Sequence, residues 1–279
     1  MFKIFNQLKT LNRQRVTARR NAKFQTVLSN EFDRSCLQLN ALKPLLANTT
    51  AHNEQRNGVK EFAIYSTFFG NSNAKTFNKA DIDHHFNHFF ISNNQEILEM
   101  ATNRGWHPIY LDLPVSGNRV LSAQQSKIPK ALPHLFPTLN HYDSLLYVDD
   151  KISFNAYKMY RLSQTLIQDN KALTIREHPS LTQNILNELA VAMIQPRYQA
   201  QRDQMVSYID AQIKNGLQLR VEHLFWTSAI LRNMRHSETY LINEDWYNAI
   251  LDCGIECQIT FDFVAQKYNS ISLMPQAII

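Results

Sequence analysis

The sequence predicts an α/β domain, with a mixed, mostly parallel sheet flanked by helices and a helical N-terminal extension. Three observations carry that prediction. From residue 61 onward, short apolar runs rich in β-favouring residues alternate with helix-forming stretches. The links between them are short. One run, Tyr142 to Val148, stops at a pair of acids, Asp149-Asp150, and ligands of open α/β sheets collect beyond the carboxyl ends of strands.

Taken in order, residues 1–57 read as a separate, basic, helical extension. Phe2, Phe5, Leu8 and Leu11 recur at helical spacing with basic residues between them. The polar stretch 48–60, with Asn57-Gly58, reads as a linker, so the main domain spans 58–279. Glu61 to Thr67 is a buried first strand, running into a loop at Phe69-Gly70. His88 to Ser92 is a second strand, and Glu96 to Arg104 a helix closed by Gly105. Trp106 to Leu111 is a third strand, Leu121 to Leu132 a helix, and Tyr142 to Val148 the fourth strand. Lys151 to Phe154 is strand-like and leads into a helix at 156–168. Leu173 to Arg176 is a strand, and Ser180 to Ile213 a long helical stretch interrupted at Pro196. Leu224 to Leu231 is strand-like, Glu244 to Cys253 helical, and Ile255 to Val264 mixes both signals.

The bulk chemistry narrows the functional classes. With 29 basic and 24 acidic residues in 279, the chain is mildly cationic. Seven of those bases, Lys3, Lys9, Arg13, Arg15, Arg19, Arg20 and Lys23, stand in the first 23 residues, where there is no acid. The remainder is slightly acidic, which argues against a nucleic-acid binder. The basic arm reads either as an amphipathic helix on an anionic membrane or as a helix packed on the domain. Three cysteines without CxxC spacing argue against a disulfide framework and a structural zinc site, and fit a reducing compartment. Cys36 reads as a small buried apolar residue. No run approaches the roughly 18 apolar residues of a membrane span, and no secretory hydrophobic stretch opens the chain. A cytoplasmic protein, peripheral at most on the inner membrane face, is the expectation.

The Asp149-Asp150 pair is the strongest local chemical signal. Carboxylates at a strand end can hold a divalent ion, magnesium or manganese, that neutralises a diphosphate. They can equally cap a helix or face water. Asp81, Asp83, His84, His85 and His88 are dense in ligand types, but no third ligand stands at a telling distance, so a polar lead-in to the strand is the better reading. In Arg202-Asp203-Gln204, the charges read as a solvated helix face with Gln204 turned inward.

Around these acids stand Lys127, then Lys130-Ala131-Leu132-Pro133-His134-Leu135-Phe136-Pro137, then Tyr142-Asp143 before the strand. Tyr65 to Gly70, His178-Pro179, Asn187-Glu188, Gln204, Tyr208, Gly216-Leu217, Ile230 to Arg232, Trp246 and Gln258 to Phe261 follow in order. This pattern resembles a bacterial and plant family of GT-A (nucleotide-diphosphosugar-binding) glycosyltransferase-like proteins, over residues 61–268. The resemblance implies transfer of a sugar from a nucleotide-diphosphate sugar to a hydroxyl of a glycan or lipid-linked acceptor, in bacterial surface polysaccharide assembly (capsule or lipopolysaccharide). It places Asp149 on Mn2+ or Mg2+, with Asp150 assisting the metal or holding the sugar. Tyr65 and Thr67 would hold base and ribose, Lys127 and Lys130 the nucleotide or its phosphates, and His178 the diphosphate or metal. Lys127 is the expected stronger contributor of the two, because Pro129 between them should kink the helix. Gln258 would stand near the sugar.

Two departures matter. The strand end reads Asp-Asp-Lys rather than Asp-x-Asp, and Cys257 replaces the acid that precedes the family's glutamine. A thiol is no magnesium ligand, and Glu256 lies one residue away. For an inverting reaction Glu222, Asp245, Glu256 and Asp262 are candidate bases, while the Gln-bearing ending favours retention. The same departures favour a second class of function, a non-catalytic sugar-nucleotide or glycan-binding module.

Overall fold

The computed structural model describes residues 34–49, 61–71, 83–149, 152–181 and 183–275. Seven strands form one sheet: β1 (Phe62–Thr67), β2 (Asn87–Ser92), β3 (His107–Tyr110), β4 (Ser144–Val148), β5 (Leu173–Glu177), β6 (Phe225–Asn233) and β7 (Ile271–Leu273). Their order is β3-β2-β1-β4-β6-β5-β7. All pairings are parallel except those of β6, which runs antiparallel to both its neighbours, β4 and β5. The mixed, mostly parallel sheet flanked by helices is the fold class expected from the sequence.

The helices are α1 (Leu39–Ala47), α2 (Gln95–Thr102), α3 (Arg119–Ala131), α4 (Pro137–Asn140), α5 (Ala156–Gln168), α6 (Ile185–Ala192), α7 (Pro196–Gln199), α8 (Arg202–Lys214), α9 (Ser237–Cys253) and α10 (Cys257–Ala265). Asparagine side chains cap several of them. Asn94, Asn118, Asn155 and Asn184 each accept a backbone N–H of the first turn of α2, α3, α5 and α6, respectively.

The strands of the sheet's centre are buried on both faces, as covered parallel strands must be. Alternation then splits the core in two. Phe62 and Ile64 of β1 face a cluster with Ile97, Leu98 and Ala101 of α2 and Met159 and Leu166 of α5. Ala63 and Tyr65 face the larger cluster, which takes Ile128 from α3, Met205 from α8, Trp246 from α9 and Phe261 from α10. Leu37, Leu42 and Leu46 are fully buried in that same cluster, and the Tyr247 hydroxyl donates to the Leu37 carbonyl at 2.8 Å. The described part of the N-terminal extension is therefore helical and packed on α9. The expected helix over the first residues lies outside the described residues, as does the expected linker 48–60 beyond Thr49.

Several sequence expectations change. Ile152 to Phe154 form no strand; Asn155 instead caps α5. The long stretch from Ser180 divides into α6, α7 and α8, with Pro196 starting α7. α9 begins at Ser237, well before Glu244, because His236 caps it. Residues 257–265 are wholly helical. Pro129 sits inside α3 without ending it. Cys36 is exposed rather than buried. His84 is exposed while His88 is buried against Trp106, and the described residues hold no metal-binding cluster.

Candidate active site

Because β6 is reversed, one edge of the sheet gathers the carboxyl ends of β4 and β5 with the amino end of β6. A cleft of about 310 Å³ opens there, within the usual range for small-molecule sites. It has two walls of opposite character.

The first wall is cationic and comes from α3 and α7. Lys127 and Lys130, one turn apart, both line the cleft, joined by Arg197. The Lys130 ammonium donates to Asp149 Oδ1 at 3.2 Å and stands 4.9 Å above the centre of the Tyr147 ring. Its side chain is 4% exposed, against 39% for Asp149. The Tyr147 hydroxyl donates to the same oxygen of Asp149. Behind the wall lies Arg232, fully buried. It donates to the Lys130 carbonyl at 2.7 Å, the Tyr65 hydroxyl at 3.0 Å and Asn243 Oδ1 at 2.9 Å. Burial pulls the Lys127 ammonium down, but Cys257, Tyr198, Asp149 and Glu256 together outweigh it and hold the group above the ordinary lysine range.

The second wall carries carboxyl and imidazole groups from β5, α6 and α10. His178 follows β5 directly, and its Nδ1 accepts from the backbone N–H groups of Ser180 and Leu181. Burial holds its pKa down, so the neutral ring keeps its proton on Nε2, 3.7 Å from Glu188 Oε2. Gln258 donates its amide to the other Glu188 oxygen, Oε1. Burial first, then the nearby Glu256 carboxyl, push Glu188 up from an ordinary 4.5 to about 7. Glu256 caps α10 by accepting from the Gln258 N–H at 3.1 Å. Trp246 fixes the same turn, donating to the Cys257 carbonyl at 3.0 Å and Thr260 Oγ1 at 3.1 Å. Trp226 and Thr227 close the floor, with Thr227 Oγ1 at 3.3 Å from Cys257 Sγ.

No protein-family model matches the chain, and no curated protein matches it in sequence. Three solved structures share its outline. Mouse xyloside xylosyltransferase 1 in its apo form is 10% identical at TM-score 0.46, with 76% of this chain and 84% of that one covered. The apo WbbM bifunctional glycosyltransferase is 10% identical at TM-score 0.41, covering 81% of this chain and 40% of its own length. The mannosyltransferase Ktr4p of S. cerevisiae is 12% identical at TM-score 0.40, covering 92% and 84%. All three neighbours are glycosyltransferases. Likeness of this size carries no argument about chemistry, which rests on the cleft.

Of the residues singled out from the sequence, Lys127, Lys130, Asp149, His178, Glu256 and Gln258 meet in this cleft. Tyr65 and Thr67 do not line it. Tyr65 is fully buried, and reaches the site through Arg232 and, edge-on, through the Tyr147 ring. The Thr67 hydroxyl donates to the Ile91 carbonyl at 3.1 Å. Asp150 lies outside the described residues. His134 is buried and stacks on Tyr240 of α9, so this part of the lysine-to-proline motif is structural. Among the possible bases, Asp245 is bound to Tyr268 and Asp262 is buried, accepting from the Phe225 N–H.

A divalent cation on Asp149 and Asp150 was the other expectation. Asp149 Oδ1 already takes an ammonium and a hydroxyl, and no group of three metal-ligating side chains exists among the described residues. The described donor set does not fit a divalent ion.

The sequence reading missed Arg197, Tyr198 and Trp226, and quoted Glu188 only within a spacing pattern. A signal for Glu188 was present: it falls on the apolar stripe Ile185, Leu189, Ala192 of one helix face. An acid there must be paired or poised.

Proposed function

We propose that the chain is a glycosyltransferase that moves a sugar from a nucleotide-diphosphate sugar to a hydroxyl of a glycan or lipid-linked acceptor. One observation carries this reading: a cleft at the sheet's carboxyl edge has a lysine wall facing a Glu188–His178–Gln258 wall. Cleaving the bond from anomeric carbon to phosphate puts negative charge on the leaving diphosphate, and preorganised cations stabilise it. Lys127 and Lys130 supply that charge. The nucleoside then extends towards the carboxyl end of β1, where the chain leaves the sheet after Thr67.

On the opposite wall, Glu188 receives the proton of the attacking hydroxyl. Gln258 orients its carboxylate, and His178 Nε2–H stands 3.7 Å from the second oxygen. A base on the acceptor side gives inversion at the anomeric carbon, against the retention favoured from the sequence. Glu256 and Asp149 complete the polar lining that meets sugar hydroxyls.

A thermal-shift screen of nucleotide-diphosphate sugars tests the assignment, since a bound donor stabilises the native state by mass action. The expected result is stabilisation by one donor and slow hydrolysis of that donor. Stabilisation without hydrolysis or transfer favours the second reading, a non-catalytic sugar-nucleotide-binding module, to which Cys257 in place of an acid lends support. Assembly of a bacterial surface polysaccharide at the inner membrane face is the setting we propose. No helix among the described residues is long and apolar enough to cross a membrane.

A further inference from the structure

We propose that Lys130, assisted by Lys127, is the built-in cation of the donor site, so that a nucleoside diphosphate binds there without any divalent metal; the inference rests on the donor-site reading above. A strand-end carboxylate in a diphosphate site serves to hold a positive charge, and here it already holds one. The Lys130 ammonium lies 3.2 Å from Asp149 Oδ1, and that oxygen also accepts the Tyr147 hydroxyl. A metal ion approaching the same oxygen meets like charge at close range.

The ammonium is fixed by construction. Its stem is buried on α3 and its charge lies over the Tyr147 ring. Its own carbonyl is gripped by Arg232, which Tyr65 and Asn243 lock in turn. Cations of this kind cost little reorganisation when charge develops beside them. Lys127, one turn earlier and less buried, faces the same cleft. Lys130 is held directly by Asp149, and Lys127 stands in the field of Asp149 and Glu256, so both ammoniums are fixed at the cleft. Arg197 is held over Tyr198 at 4.7 Å on the same wall and extends the positive surface. Lys127, Lys130 and Arg197 put three positive charges on this wall, one of them bound to Asp149.

The test is isothermal titration of the full chain with UDP, GDP, CDP, ADP and dTDP, each in EDTA and in manganese chloride. One diphosphate is expected to bind with the same Kd, within about twofold, in both buffers. Lys130→Met should weaken that binding about tenfold or more in both, the size of one lost charge-assisted hydrogen bond. Lys130→Arg should restore most of it, a rescue that a merely structural role would not require. Far-UV circular dichroism of each variant confirms its fold, and Lys127→Met provides a second charge removal if Lys130→Met does not fold. Binding seen only with manganese overturns the inference while leaving the donor-site reading standing. Unchanged affinity in the lysine variants also overturns it. Binding of no diphosphate in either buffer overturns the donor-site reading, and this inference with it.

Discussion

At the scale of single residues, Glu188 decides how the site responds to pH. Its carboxyl is displaced from 4.5 to about 7, so it takes up protons more tightly in the folded chain than in the unfolded one. Stability from this group is full below pH 4.5 and is lost as pH rises towards 7. The span corresponds to about 3 kcal/mol, at about 1.4 kcal/mol for each unit. Glu188→Gln should therefore gain stability on the native protein between pH 5 and 8, measured by urea denaturation at each pH. His88 and His134, both held down to about 4 chiefly by burial, act in the opposite sense. They contribute stability above pH 6.5 that is lost as pH falls towards 4, which is why the difference between variant and native chain is the quantity to follow. In transfer, Glu188 must be ionised, so the rate should fall about tenfold for each unit below pH 7, and Glu188→Gln should lose transfer and its acid limb together. On the lysine wall, Lys127→Ala should raise the donor KM about tenfold with little change in the acceptor KM.

At the scale of elements, the turn from α9 into α10 is where packing becomes chemistry. Gly254 closes α9 at a φ of +111°, and an added Cβ would lie 2.9 Å from Gln201 Oε1. That oxygen already accepts the Ile255 N–H. Gly254→Ala should cost about 2 kcal/mol or more and displace Glu256 and Gln258 along with the start of α10. A urea midpoint lowered at unchanged m-value, together with weaker nucleotide binding, is the expected pair of results. Arg232 plays the same part beneath α3. Arg232→Met leaves three buried acceptors without their donor and should cost about 3 kcal/mol or more. The sequence made α3 and the end of β4 legible, because each carries chemistry-bearing residues at an element's face or end; Gln258 stood out as a motif residue, but the helix it opens did not. It named Glu188 without a role and did not reveal Arg197, because what they meet depends on α6 and α7 folding across the strand ends. Helical spacing says which residues share a face, not what that face meets. Tyr65 shows the converse: a polar residue at a good strand position that tertiary packing turned into a support for Arg232.

At the scale of the whole molecule, the basic arm and the cleft occupy separate parts of the chain. The acid-free arm of the first 23 residues carries seven bases, while the cleft is built from residues 127–258. Deleting residues 1–23 should weaken co-sedimentation with anionic vesicles at low salt and leave nucleotide affinity unchanged. Equal vesicle binding by both chains would remove the membrane-facing part of the proposal. The α/β class was legible because strand and helix periods alternate through most of the chain from residue 61. The antiparallel run of β6 was not, since strand-forming residues carry no direction.

That single reversed strand has a consequence while the chain is being made. β4 must wait for β6, which is synthesised some eighty residues later, to cover one of its sides. Until then Ser144–Val148, paired with β1 on one side only, offers its other edge to any passing extended segment. The nascent protein is thus most exposed to misassembly in the interval before Phe225 to Asn233 emerge, and its cleft is complete only later, once Glu256 to Gln258 have followed.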